Sequence, residues 1–248
     1  MSKTESEKPK LGRRDFLKVV GVAGVASALP AQSPQAEEAM KMPMPANPPA
    51  PNVNTNTGFL FFNANEGAVI TAMVDTLIPA DATGPGGVEA GVHIYIDRQL
   101  GGAYGSGARL NMQGPFRPDI ATPSQGYQLP YTPAELIRAG LADLAVYSQA
   151  AKGNTFDNLQ AADRDAILKD MDGAKATFAT VPAKVVFDHI YNLVQEGYFG
   201  DPIYGGNTGK SVWKMIGFPG VAGMYTQLIE QYRNKPYTAD PQSIQDFA

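Results

Sequence analysis

The sequence predicts an all-α protein, and three observations support that class. Apolar residues recur at intervals of three and four in several stretches, the spacing of one buried helix face. Several of these stretches begin at a capping residue and end at glycine or proline. Runs that strictly alternate apolar and polar residues, typical of strands, are few. We therefore expect a single compact helical domain over residues 58–235, with long loops rich in glycine, proline and aromatic residues.

The first two helices are predicted near the start of this domain. Asn63 and Glu66 form a capping box, and apolar residues keep helical spacing over residues 69–78. A second helix is predicted over residues 88–100. His93 lies on it, and we interpret this residue as a partly exposed histidine rather than a metal ligand, because no second histidine is nearby.

Three aspartates in this part of the chain, Asp75, Asp81 and Asp97, raise the possibility of an acidic cluster. We favour separate structural roles, in which Asp81 caps a turn and Asp97 pairs with Arg98 or with neighbouring backbone. Residues 101–131 form a predicted long loop. Its glycines imitate a dinucleotide-binding loop, but no apolar strand precedes them and no helix follows at once, so we reject that function.

The remaining helices follow clear start signals. Thr132, Pro133 and Glu135 provide a cap, an N1 proline and a capping-box acid. A shorter helix is predicted to end near Gly173, and Val181-Pro182 opens the next. The apolar face of that helix is bordered by His189, interpreted as a core or interface residue. A last helix is predicted after residue 220, and the polar tail, residues 236–248, is expected to lie over a partner.

The stretch from residue 196 to residue 220 shows no amphipathic period and contains the only tryptophan of the chain. Its glycines tolerate close backbone approach, and its large rings need a surface to bury against. A long loop of this composition indicates a fold-organising or partner-contacting role rather than a catalytic one. The residues assigned to this role are Tyr198, Phe199, Asp201, Pro202, Tyr204, Gly205, Gly206, Asn207 and Trp213. Residues 208–211 imitate the end of a phosphate-binding loop, but tyrosine stands where that motif requires glycine.

Composition excludes several kinds of site. The chain has no cysteine, which excludes disulfides, thiolate metal sites, Cys-ligated iron–sulfur clusters and covalently attached c-type haem within it. The formal charge is −4, and removing six basic and three acidic residues with residues 1–31 leaves 14 basic and 21 acidic residues. An acidic surface argues against nucleic-acid binding. We assign no catalytic, cofactor-binding or metal-ligating residue.

The N-terminal region is typical of an export signal followed by a linker. Residues 1–31 combine a basic motif, a short apolar run and small-residue cleavage sites, as twin-arginine signals do. We therefore expect a periplasmic protein. Residues 32–57 are rich in Pro, Ala, Asn and Met and predict a disordered linker; clustered methionines can bind Cu(I), but no His or Cys supports such a site. The signal motif comprises Arg13, Arg14, Phe16, Leu17 and Lys18.

Several spaced blocks together resemble one known family. They include residues 78–81, 84–86, 90–92 and 96–100, and they continue as Gly197-Tyr198-Phe199, Asp201-Pro202, Tyr204-Gly205-Gly206-Asn207 and residues 213–220. Over residues 59–232 the chain is similar to the gluconate 2-dehydrogenase subunit 3 family, the small (gamma) subunits of membrane-bound, FAD-dependent sugar and sugar-acid dehydrogenases.

The resemblance implies a non-catalytic subunit of an oxidoreductase complex. It implies a large partner flavoprotein that carries FAD, a multihaem cytochrome c partner that carries haem c, and membrane association only through these partners. The small chain would stabilise the flavoprotein and carry it through the twin-arginine export route. Two other functions are left open: an independent enzyme that uses His189, Asp201 and Tyr204, or a free-standing periplasmic module that binds a small ligand.

Overall fold

Seven α-helices and four short 3₁₀ helices form the part of the chain that the structure describes, residues 58–122, 128–221 and 226–247. No strand occurs in these residues of the computed structural model, which confirms the all-α class. The predicted signal motif, Arg13 to Lys18, and the predicted linker lie outside the described residues. The helices are α1 (Ala64–Leu77), α2 (Val92–Gly101), α3 (Pro133–Lys152), α4 (Ala161–Asp172), α5 (Ala183–Phe199), α6 (Ser211–Ile216) and α7 (Thr226–Tyr232).

The predicted capping boxes are confirmed at the starts of α1 and α3. The Glu66 N–H donates to Asn63 Oδ1 over 2.9 Å, and the Asn63 N–H donates to the Glu66 carboxylate over 3.0 Å. The Thr132 N–H and the Thr132 hydroxyl each donate to the Glu135 carboxylate over 2.8 Å, and these two bonds lower the pKa of Glu135. Each box satisfies N–H groups that the first helical turn leaves without partners.

Two predicted boundaries are wrong. The second helix begins at Val92 rather than at residue 88, because Gly91 has a left-handed backbone (φ 77°) that breaks helical continuity. The stretch from residue 196 to residue 220 is partly helical: residues 196–199 form the last turn of α5, and α6 follows at Ser211. Residues 196–199 and the six residues of α6 are each too short to show the apolar periodicity by which a helix is predicted from sequence.

Helix α5 is the centre of the fold. It packs against α2, α3, α4 and α6, and its predicted apolar face is buried through Val186, Ile190, Leu193 and Val194. Gly140 on α3 leaves room for Val186. The segment that follows residue 199 therefore begins at the end of a helix whose position is held by close packing.

Two buried aspartates join distant segments to this helical body. Asp97 accepts the backbone N–H groups of residues 60, 61 and 62 over 2.7, 2.9 and 3.0 Å, so its partners are backbone, as predicted, but 35 to 37 residues away in sequence. Asp143 accepts the N–H groups of Thr180 and Val181 over 2.8 and 3.2 Å. Asp81 caps a turn by accepting from Thr83 and Gly84. The described part of the chain contains no cluster of three or more His, Cys, Asp or Glu side chains placed to hold a metal ion.

No helix within the described ranges has the length and apolar character needed to cross a membrane.

Candidate functional site

The candidate site is the segment from residue 200 to residue 221, which leaves the end of α5 and returns to the body. Two 3₁₀ helices, Pro202–Tyr204 and Thr208–Lys210, precede α6 within it. The predicted residues divide between helix and loop: Tyr198 and Phe199 lie in the last turn of α5, and Trp213 lies on α6. We call residues 200–221 the central loop.

Asn207 clamps the central loop between two helices. Its side chain is fully buried; Nδ2 donates to the Gly200 carbonyl over 3.0 Å, and Oδ1 accepts the Val212 N–H over 2.9 Å. The first bond holds the end of α5, and the second satisfies an N–H in the first turn of α6. Its backbone is left-handed (φ 44°), a region that asparagine tolerates better than most residues. The Asn207 side chain therefore holds both ends of the segment that connects α5 to α6.

The predicted Gly205-Gly206 pair allows the central loop to lie directly on the helical body. A side chain at Gly206 would collide with the backbone carbonyl of Gly197 on α5. Gly205 has φ 105°, a conformation strongly disfavoured for other residues, and Gly91 leaves room for the Thr208 hydroxyl. The Thr208 N–H and hydroxyl both donate to the Ala90 carbonyl, over 3.0 and 3.1 Å. These glycines therefore serve close packing of backbone on backbone.

Trp213 anchors the far side of the central loop. It is 3% exposed, and its indole N–H donates to the Phe199 carbonyl over 2.7 Å. The Phe218 ring packs edge-on against it, with 5.1 Å between ring centroids. Tyr198 is tied to another segment, because its hydroxyl donates to the Pro85 carbonyl over 2.8 Å. The loop and the end of α5 are thus held as one unit.

Asp201 attaches the C-terminal tail to the loop, a role that sequence reasoning missed. Its carboxylate caps the first 3₁₀ helix through the Ile203 N–H and also accepts the Ser243 hydroxyl over 2.7 Å and the Ile244 N–H over 2.9 Å. The Lys210 ammonium donates to Asp246 over 2.6 Å. The tail therefore contacts its own chain in this structure, and its expected position over a partner stays a prediction. No sequence pattern signals pairs that are 36 to 43 residues apart.

Large apolar side chains on and beside this rigid segment are exposed. Phe199 and Tyr204 are about half exposed, at 49% and 53%. Such side chains are concentrated between residues 199 and 218, and exposed apolar residues concentrated in one segment are candidates for an interaction site. We call the following set the loop surface: Phe199, Ile203, Tyr204, Ile216 and Phe218.

The structure does not bring the candidate enzyme residues together. His189 lies on α5 ten residues before its end, about 15 Å along the helix axis from Phe199. Its Nδ1 lies 2.8 Å from the Val185 carbonyl, the preceding turn of the same helix. Asp201 already accepts three hydrogen bonds, and Tyr204 is exposed. The three residues therefore form no acid–base pair with a nucleophile.

Two other titratable groups are perturbed by burial. Burial raises the pKa of Tyr95, and the nearby Glu196 carboxylate, which accepts its hydroxyl over 3.0 Å, raises it further. Burial lowers the pKa of His93, opposed by the charge of Asp97. The Phe59 ring packs edge-on against the His93 ring, with centroids 6.1 Å apart. Burial therefore favours the neutral form of both side chains.

Comparison with known proteins gives one match. The family model described as gluconate 2-dehydrogenase subunit 3 matches residues 64–220, more than half of the chain. The matched range runs from the start of α1 to Gly220 and includes the whole helical body up to α6 and nearly all of the central loop. No curated protein and no solved structure matches the chain.

Proposed function

Because the chain belongs to the gluconate 2-dehydrogenase subunit 3 family, we propose that it is the non-catalytic small subunit of an FAD-dependent dehydrogenase complex. The complex oxidises a sugar or sugar acid of the gluconate, glucose or fructose type. Its flavoprotein subunit carries FAD and its cytochrome subunit carries haem c. In this arrangement the small chain stabilises the flavoprotein and escorts it through the twin-arginine export route to the periplasm.

The observation that carries this proposal is the loop surface. Its exposed apolar side chains lie on or beside a segment that is held in place by side-chain hydrogen bonds of Asn207, Trp213 and Asp201. Interface cores are enriched in aromatic side chains and depleted of charge. A surface that is already ordered loses little conformational freedom on binding, so more of the contact energy appears as affinity. We propose that the flavoprotein binds here.

The glycines of the chain support placing the flavin in the partner. A dinucleotide-binding loop needs glycines that leave space for a pyrophosphate beside their backbone. Gly206 instead faces the Gly197 carbonyl, and Gly105 faces the Leu100 backbone, so the chain itself fills the space beside both. These two glycines therefore leave no space for a pyrophosphate, which supports our proposal that the hydride chemistry supplied by FAD belongs to the flavoprotein.

Single substitutions on the loop surface test the contact. Tyr204→Ala removes an exposed ring and should weaken binding of the flavoprotein by about 1–2 kcal/mol, roughly tenfold in Kd. The matched control is Val146→Ala on α3, whose side chain is 72% exposed and lies far from the loop in sequence. Both variants should keep the wild-type free energy of unfolding, because exposed truncations change it little. Equal flavoprotein affinity for the two variants would contradict the proposed surface.

Removal of the signal tests the escort role separately. In cells that express the chain without residues 1–31, the flavoprotein should remain in the cytoplasm and periplasmic dehydrogenase activity should disappear. Arg13→Lys with Arg14→Lys is the milder control, because it keeps the charge and changes only the motif. An active flavoprotein in the periplasm of these cells would refute the escort role. Sugar oxidation by the purified chain without flavin would instead establish an independent enzyme.

A further inference from the structure

The central loop lies against an arginine of α2 that has no acidic partner in the part of the chain that the structure describes. This residue, Arg98, is partly buried, and its side chain makes no hydrogen bond or ion pair with a described residue. A Cβ atom placed on Gly205 would lie 3.4 Å from Arg98 Cδ and 3.8 Å from Arg98 Nε. The aliphatic stem therefore packs beside the loop backbone, and the guanidinium begins where Gly205 lacks a side chain.

The other described arginines differ from Arg98. Four of them pair with an acid of this chain, namely Arg117, Arg138, Arg164 and Arg233. Arg109 has no such pair among the described residues, but it is exposed, so water solvates its charge. Burying part of a charge without a partner costs solvation free energy, which a partner can restore. Arg98 is therefore the described arginine best placed to pair with an anion from another molecule.

The loop residues next to Arg98 carry no charge. Residues 202–209 contain neither an acid nor a base, and Ile203 and Tyr204, which precede Gly205, are 41% and 53% exposed. Interface cores are depleted of most charged residues and enriched in aromatic side chains and arginine. A guanidinium beside uncharged, exposed apolar side chains has this composition.

One acid of the chain lies in the same neighbourhood. Tyr95, one turn before Arg98 on α2, donates its hydroxyl to the Glu196 carboxylate over 3.0 Å. Burial raises the pKa of Tyr95, the Glu196 carboxylate raises it further, and Tyr204 adds a smaller rise, which places the Tyr204 side chain near this part of α2. Glu196 forms no ion pair with Arg98, so the guanidinium is left for another carboxylate.

We propose that Arg98 binds a carboxylate of the flavoprotein, contributed by an aspartate or glutamate within the apolar surface that covers Tyr204. This inference rests on the proposed function and deepens it by naming the chemical group that the partner presents. A guanidinium donates two parallel N–H groups to one carboxylate, a geometry that a point charge does not match. Because the chain as a whole is acidic, long-range attraction to an acidic partner is weak, and the pair serves to fix the orientation of binding.

The test uses the complex as it is purified with the tagged chain. Untagged variants are added as competitors, and the flavin released from the tagged chain reports how strongly each variant binds the flavoprotein. Arg98→Met retains an unbranched stem beside Gly205 and removes the guanidinium. About 30-fold more of this variant than of wild type should be needed to release half of the flavin, as for a charged anchor at an interface. Its urea midpoint should equal that of wild type, because no hydrogen bond of the isolated chain is lost.

Three further variants separate charge from packing. Arg109→Met removes an exposed arginine and should compete within about twofold of wild type. Arg98→Lys keeps the charge without the planar fork and should compete better than Arg98→Met, whereas Arg98→Glu brings like charges together and should compete worst. Raising the salt concentration from about 50 mM to about 300 mM should weaken binding of wild type more than binding of Arg98→Met.

Three outcomes would overturn the inference. If wild type and Arg98→Met release flavin at the same concentration, the partner presents no carboxylate to Arg98, and the proposed function stands without this contact. If Arg98→Met and Arg98→Glu compete equally, or if Arg109→Met shows the same loss, the charge at residue 98 is not recognised. A tagged wild-type chain that co-purifies with no flavoprotein refutes the proposed function and this inference with it.

Discussion

The helical body and the central loop are stabilised by different interactions. In the body, side chains such as Met73 and Ile190 are fully buried, and apolar packing around α5 dominates. In the central loop, few apolar side chains are buried, and the backbone is held by the side-chain amide of Asn207 and the carboxylate of Asp201. Because these polar bonds hold the loop backbone, a ring such as that of Tyr204 need not be buried and can face solvent.

Both regions use buried aspartates to bind backbone that is distant in sequence. Asp97 and Asp143 attach distant backbone to the body, and Asp201 attaches the tail to the loop. The difference lies in what they hold, since Asp201 holds a loop that carries exposed apolar side chains, Ile203 and Tyr204, whereas Asp97 and Asp143 hold segments on the helical body. Substitutions that separate packing from polar clamping should therefore affect the two regions differently.

The largest effect is expected from Gly206→Ala. Its new methyl group would collide with the Gly197 carbonyl, and backbone on both sides resists movement. We expect a loss of more than about 4 kcal/mol in the free energy of unfolding, or displacement of the loop with a changed Trp213 emission. Gly209→Ala is the control: it has φ 64° but open space, so only the cost of a left-handed residue, about 1–2 kcal/mol, applies. Equal losses would show that the close approach is unimportant.

Trp213→Ala should be the next most damaging change. It removes a buried indole and leaves the Phe199 carbonyl without its donor, at a cost of about 3–4 kcal/mol in urea unfolding. Trp213→Phe keeps most of the packing and loses the hydrogen bond, so it should recover more than half of that cost. Intact stability and intact assembly in Trp213→Ala would contradict the anchoring role.

Asn207→Ala tests the polar clamp without changing apolar packing. It leaves the buried Val212 N–H and Gly200 carbonyl unpaired and puts alanine in a left-handed conformation. We expect a loss of about 3 kcal/mol, comparable with a large apolar truncation in the body such as Ile190→Ala. The measurement is the urea midpoint at constant slope. A loss below about 1 kcal/mol would mean that packing, not clamping, holds the loop.

The smallest expected effect is the loss, at low pH, of the contact between Asp246 and Lys210 that helps to attach the tail. The bonds from Lys210 and from the Ser243 N–H lower the pKa of Asp246 below its ordinary value of 3.8. Because the folded pKa is depressed, this contribution is fully present above pH 3.8 and is lost as pH falls through the lowered value. The side chain is 40% exposed, so the contribution is below about 1 kcal/mol. Proteolysis near Tyr237 should accelerate as pH falls below 3.8, and the acceleration should be smaller in Asp246→Asn, which lacks this carboxylate but keeps the tail contacts of Asp201.

The sequence was sufficient to predict the helices that carry local signals. Both capping boxes and the apolar face of α5 depend on residues within a few positions of one another, and the structure confirms them. The predicted start of the second helix was wrong because Gly91 adopts a left-handed conformation there and lies against Thr208, which interrupts the helix. That contact spans more than a hundred residues and has no local signature.

The central loop was identified by composition, but its construction was not. Glycines and rings indicate a special segment, whereas the partners of Asn207 and Trp213 follow from where α5 ends in space. The attachment of the tail through Asp201 and Ser243 was missed for the same reason. Long-range polar pairs depend on the assembled fold, and single-sequence periodicity does not encode them.

Purification of the tagged chain from its native membranes most directly tests the claim that this subunit binds and stabilises a partner that carries FAD. The account predicts co-elution with a flavoprotein that shows flavin absorbance and with a haem-containing chain, and loss of both from a Tyr204→Ala, Phe218→Ala variant that keeps its fold. A chain that elutes alone near its own mass, with no flavin absorbance, would contradict it.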